Sequence, residues 1–180
     1  VKSLKLWLRA DTLRVPDGGP VVVWPDSSGR GHDLGVTRGV RQAGTGTAPR
    51  LIKRSKVNGG PAVRFIHENG LAASPDRSLG LTGDADFTIV IVGQFVRGVA
   101  KPYENILMVG NPAAPRDPGK PLSVLIEFET GKNQIDLAGG WAHDASMGPG
   151  SAQVLFDQPN LLIITRRKGP WTSGTRFWLN

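Results

Sequence analysis

The sequence predicts an all-β domain built as a two-sheet sandwich, on three observations. The 24 Gly and 14 Pro among 180 residues cut the chain into short pieces. After the first fifteen residues, the stretches free of both (Arg50–Asn58, Asp84–Val92, Leu122–Thr130, Ser151–Gln158 and Asn160–Lys168) are eight or nine residues long. That is strand length, short of the dozen or so residues of an average helix. The second observation is alternation: Leu122, Val124, Ile126 and Phe128 interleave with Ser123, Leu125, Glu127 and Glu129, which sets one face on a core and the other toward solvent. The third is a pair of runs, "DFTIVIVGQFV" and "NLLIITRR", apolar on both faces as in central strands covered on both sides.

Taken in order, the predicted strands are 4–9, 20–24, 49–53, 61–66, 86–97, 104–109, 121–129, 133–138, 159–167 and 175–180. The first rests on Leu4, Leu6 and Leu8 alternating with Lys5, Trp7 and Arg9. Ten short strands with Gly/Pro turns between them fit a sandwich or barrel. The chain predicts one domain over 1–180, with no internal repeat. "TRFWLN" stops in a strand, at the Asn that would open an Asn-Gly turn, so the chain is expected to be a C-terminally incomplete fragment of a longer protein.

Composition excludes several classes. With no Cys there is no thiol catalysis, Cys-ligated zinc or disulfide framework. No apolar run approaches the ~18 residues of a membrane span. The net charge of +7 invites an anionic partner. Lys53, Arg54 and Lys56 cluster in one turn and Arg166, Arg167 and Lys168 in another. No RNP, KH or helix-turn-helix pattern accompanies them, which argues against nucleic acid and leaves either plain solvated charge or an anionic polysaccharide or acidic surface as partner.

Several motifs in the first half follow one another in a familiar order: "LKLWLRADTL", "DGGPVVVWPDSSGRGHDL", "APRLI", "NGGPAVRF" and "DFTIVIVGQF". Over residues 4–97 the chain resembles the laminin G-like modules of the concanavalin A-like superfamily, and the terminal "TRFWLN" resembles a later strand of those modules. The resemblance implies a jelly-roll sandwich in an exported, extracellular or cell-envelope protein of bacterial type. It further implies a non-catalytic, lectin-like module for carbohydrate binding or adhesion, with a glycan or protein at a surface as partner. The alternative in the same fold is a structural or protein-interaction domain without a small ligand, and a glycoside hydrolase ranks below both.

Individual residues divide accordingly. In "WPDSSGRGHD", Asp26 and Ser28 can bond backbone amides two residues on, and Gly29 and Gly31 supply positive-φ positions, giving a side-chain-capped turn. The sharper alternative is a calcium site on Asp26, Ser28 and Asp33, whose hard oxygens fall at short spacing. The family usually has Asn where this chain has Arg30 and His32, which weakens that alternative. Glu127 and Glu129, at i and i+2 of one strand, lie about 6.6 Å apart on one face, but "EFETGK" lacks the other acids of the jelly-roll glucanase pattern, and no catalytic residue is assigned. His32, His67 and His143 are expected at the surface. Trp7 and Trp178 are expected in the core, and Trp24 beneath the Asp26 turn. Trp141 and Trp171 stand in Gly/Pro-rich loops, where a ring is either a buried plug or a flat face for stacking on a sugar or partner side chain, with His143, Asp144 and Ser146 supplying polar groups and Tyr103 a further aromatic.

Overall fold

The computed structural model describes residues 3–36, 48–66, 69–73, 79–81, 85–94, 103–110, 123–129, 134–138, 145–148, 158–168 and 171–180. Regular structure among them is almost entirely antiparallel strand, and the chain falls into two compact units, Val1–Leu79 and Gly80–Asn180.

In the first unit, β1 (Val23–Trp24), β2 (Leu34–Gly35) and β5 (Ala72–Ala73) form a sheet in the order β1-β2-β5, while β3 (Arg50–Ile52) and β4 (Ala62–Arg64) form a hairpin. A small core of Leu13, Val21 and Leu51 holds them, with Trp24, Val63 and Leu71 packed against it. The predicted strand at 4–9 does not form. Leu8 makes one isolated bridge to Asp26, and the chain then turns through a 3-10 helix at Ala10–Thr12. The reason lies in where Trp7 sends its backbone bonds: its N–H donates to the Asp26 carboxylate and its carbonyl accepts from Ser27 N–H, so a turn occupies the groups a ladder would need.

The described residues of the second unit form two sheets. β6 (Phe87–Gly93), β11 (Asn160–Arg166) and β12 (Thr175–Leu179) run in the order β12-β11-β6. β7 (Tyr103–Gly110), β8 (Ser123–Glu129), β9 (Gln134–Ala138) and β10 (Ala145–Ser146) run in the order β10-β9-β8-β7. Phe87, Leu162 and Ile164 of the first sheet bury in one cluster with Ile135 and Leu137 of the second, so the two sheets face each other across an apolar layer. A single-turn helix, α1 (Trp171–Gly174), connects β11 to β12 where a loop was expected.

Alternation decides what each strand exposes. β6 buries Phe87 but leaves Val90 58% and Val92 61% exposed, so this apolar run is covered on one face, not both. Trp7 and Trp178, expected in the core, are 48% and 46% exposed. Trp178 pairs with Ile163 and shares with it and Val90 the side of the sheet away from the buried cluster. Arg166 is buried on the core-facing side of β11, so the second basic cluster reduces to Arg167 and Lys168, both exposed.

If this assignment of faces holds, Ile164→Ala costs about 2–5 kcal/mol of folding stability, as for other buried aliphatic truncations. Val90→Thr, on the opposite face, changes it by no more than about 0.5 kcal/mol. Urea unfolding of both variants measures the difference, and equal costs would contradict the placement of the core.

Candidate functional site

Two polar constellations stand out, one in each unit. In the first, the turn after Trp24 closes around the Asp26 carboxylate. Oδ1 accepts from the backbone N–H groups of Trp7 (3.0 Å) and Ser28 (2.8 Å), and Oδ2 from the Ser28 hydroxyl (2.6 Å) and His32 N–H (3.1 Å). Asp33 Oδ1 in turn accepts from Asp26 N–H at 2.8 Å. Gly29 and Gly31 take φ of 79° and 73°, the left-handed values the turn requires. Trp24 packs against the Leu13–Val21–Leu51 core and donates its indole N–H to the Arg9 carbonyl.

Burial alone would push the Asp26 carboxyl up. The Ser28 hydroxyl and the amides of Trp7, Ser28 and His32 more than offset that and hold it well below the usual carboxylate range. Asp26, Ser28 and Asp33 therefore meet, as the spacing suggested, but as a hydrogen-bonded turn. Four donors occupy the four lone-pair positions of the Asp26 carboxylate, so a cation would reach it only if this turn opened. Among the described residues no group of three or more His, Asp or Glu side chains is placed to hold a metal ion. His32 is not a surface residue: its side chain is mostly buried, with Nδ1 3.6 Å from Asp26 Oδ2.

In the second unit, strand register assembles a polar row. Asn105 of β7 pairs with Glu127 of β8, Glu127 with Asp136 of β9, and Asp136 with Ser146 of β10. The next row holds Tyr103, Glu129 and Gln134. Directly paired residues share a face, and these alternate with the buried Ile135 and Leu137, so both rows belong to the side away from the core. Ser146, at the end of the first row, is exposed. A bulge between Asn105 and Leu107 lets Ile106 and Leu107, consecutive in sequence, both pack against the core while Tyr103 and Asn105 keep the outer face.

The residues expected to bind a ligand gather around this sheet in part. Tyr103 lies on the β7 edge. At the opposite edge Ser146 belongs to β10, and α1, which begins at Trp171, lies close to β10. Trp141, His143 and Asp144 belong to the connection between β9 and β10 and lie outside the described residues, as does His67. Asn105, Gln134 and Asp136 were missed by sequence reasoning. The turn signal "TGKN" could have found two of them, because pairing counted outward from it sets Glu129 opposite Gln134 and Glu127 opposite Asp136.

Comparisons with protein-family models, with curated proteins and with solved structures gave no match.

A depressed carboxyl pKa in the folded state stabilises the fold above the unfolded value near ~3.9, and that contribution is lost as pH falls through the folded value. Folding stability is therefore expected to decline below about pH 4. Asp26→Asn, which leaves part of the donor set without an acceptor, is expected to cost about 1–3 kcal/mol at neutral pH and to flatten the acid limb. Chemical unfolding of both proteins across the acid range tests this. An unchanged acid limb in the variant would show that Asp26 does not carry it.

Proposed function

We propose that the chain is a non-catalytic carbohydrate-recognition or adhesion module of an exported protein, folded as a concanavalin A-like jelly roll, whose second unit binds neutral glycan on the outer face of the β7–β10 sheet. The row Asn105–Glu127–Asp136–Ser146 carries the proposal. Like charges directly opposite each other on a sheet, as Glu127 and Asp136 are, disfavour one another. Carboxylates are acceptors only, so a neutral sugar, whose hydroxyls donate, suits them and an anionic one does not. Asn105, Gln134 and Ser146 add groups that both donate and accept.

The four strands set the two edges three spacings apart, roughly 14 Å, which suits a short oligosaccharide. Tyr103 belongs to the edge strand β7 and Trp171 begins α1, close to β10, and with Trp141 these are the residue types that sugar faces prefer. The exported setting rests on the resemblance of residues 4–97 to laminin G-like modules.

Titration of neutral oligosaccharides selected on a glycan array tests the proposal. Asp136→Ala and Asn105→Ala are each expected to weaken binding by about tenfold, equivalent to the ~1.4 kcal/mol of a lost polar contact, without a lowered unfolding midpoint, since Asp136→Ala also relieves its repulsion with Glu127. Trp141→Ala is expected to cost roughly 2 kcal/mol or more of binding, as hot-spot aromatics do. Absence of any neutral glycan ligand would defeat the proposal. Hydrolysis of a bound oligosaccharide that depends on Glu127 would replace it with the glycosidase alternative.

A further inference from the structure

The net charge is not spread over the molecule. The first unit holds 13 Lys and Arg against 6 Asp and Glu, whereas the second holds 9 of each, so the whole excess of +7 belongs to Val1–Leu79. Within it the β3–β4 hairpin is the densest part. Arg50, Lys53, Arg54, Lys56 and Arg64 are all exposed, and positions 50–64 contain no Asp or Glu. Arg50, whose Nη1 donates to the Gly18 carbonyl at 2.7 Å, and Arg64 stand directly opposite each other in the β3–β4 register, an arrangement of like charges that an anion over them would relieve.

The turn that carries the other three is held in shape. Ser55 N–H and hydroxyl both donate to the Gly60 carbonyl, at 2.9 and 2.7 Å, and Gly59 N–H donates to the Ser55 carbonyl. Gly60 N–H donates to Asn58 Oδ1, and Gly59 takes φ of 73°. Lys53 N–H is fixed by Asp17 Oδ1 at 2.8 Å, and the hairpin base is tied to the preceding segment through Leu51 N–H to Gly19 O and Gly18 N–H to Leu51 O. A depression of about 570 Å³ beside the base is lined by Arg14 and Lys53 together with Asp11, Pro16, Leu51 and Pro61. Asp11 is already paired with Arg9 at 2.6 Å.

We infer that the β3–β4 hairpin is a binding site for a linear anionic polysaccharide bearing sulfate or carboxylate groups. Short runs of the form Lys53-Arg54-x-Lys56 are the type that engages such chains or nucleic acid. Single-stranded nucleic acid is gripped by aromatic stacking as well as by charge, and the turn at 53–60 holds no aromatic residue, the exposed Phe65 following Arg64 at the opposite end of β4. A bilayer surface is held more firmly where exposed apolar groups accompany the cations, and the turn at 53–60 has none, the exposed Phe65 and Ile66 lying past the opposite end of β4. A preformed backbone reduces the ordering cost of binding, leaving mainly the long side chains to be fixed. The site is separate from the polar sheet row, which repels anions, and it stands whether or not that row binds sugar.

The experiment titrates the 180-residue chain with a heparin oligosaccharide, uncharged dextran, a single-stranded oligonucleotide and phosphatidylserine vesicles over a range of salt. Heparin is expected to bind and dextran not, with affinity falling steeply as salt rises. At roughly fivefold per surface cation, Lys53→Gln/Arg54→Gln/Lys56→Gln is expected to weaken heparin binding by about 100-fold at low salt, and Lys56→Gln alone by about fivefold. The charge-matched Arg167→Gln/Lys168→Gln/Arg176→Gln, at exposed positions of the second unit, is expected to leave heparin binding within about twofold. Equal losses in the two triple variants would overturn the site in favour of net charge alone. Tighter binding of the oligonucleotide or the vesicles, lost in the hairpin variants, would overturn the ligand class. Neutral-glycan binding by the hairpin triple variant stays at the level of the unsubstituted chain, which separates this site from the sheet row.

Discussion

Burial of Ile135 and Leu137 against Phe87, Leu162 and Ile164 is the constraint on which the second unit depends. A strand has a side-chain period of two, so fixing those residues inward fixes Gln134, Asp136 and Ala138 outward with no further freedom. Pairing then carries the choice across the sheet, from Asp136 to Glu127 to Asn105 in one direction and to Ser146 in the other. The polar row is thus a by-product of the hydrophobic layer. A one-residue slip of β9 would bury Asp136 and expose the two aliphatics, at several kcal/mol for each misplaced group. The bulge at Asn105/Leu107 belongs to the same logic: it is the local irregularity by which β7 presents two adjacent aliphatics to the core without moving Tyr103 and Asn105 off the outer face.

The first unit is organised differently, around a charge. Its apolar cluster is small, and its strands are two or three residues long, too short to specify much by burial. Asp26 compensates by binding residues 7, 28 and 32 to one carboxylate, drawing together segments that a longer strand would otherwise align. Asp17 does the same on a smaller scale when it takes the Lys53 amide. Such side-chain-to-backbone bonds compete with ladders for the same N–H groups, which is why the leucine alternation at 4–8 does not become a strand.

That competition marks the limit of what the sequence discloses. The all-β class, the positive-φ roles of Gly29 and Gly31 and the capped turn at Asp26 were legible, because Gly/Pro spacing and Asx chemistry are local properties. Strands at 34–35, 72–73 and 145–146 were not, since a two-residue pair has no period to detect. The exposure of Val90, Val92 and Trp178 was also hidden: an apolar run on both faces reads the same whether the outer face is covered or bare. Arg166 misled in the opposite direction, as a basic residue in a basic run that alternation carries into the interior. Of the candidate site, Glu127 and Ser146 were visible singly, but their relation passes through Asp136 and exists only once register is known.

The separation of charge between the units gives these readings a common physical basis. Surface charge far from balance keeps a chain soluble but works against compactness through self-repulsion. In the hairpin that repulsion is concentrated, with Arg50 facing Arg64 and three further cations in the adjoining turn. Stability would be better served by an acid at any of these positions. A hydrogen-bonded turn keeps them basic, whereas the second unit has zero net charge and its sheet register sets Glu127 against Asp136, so one unit is donor-rich and the other acceptor-rich. Hydroxyl donors suit the acceptor-rich unit and anionic oxygens the donor-rich one, so the same strand physics gives the two units opposite electrostatic preferences.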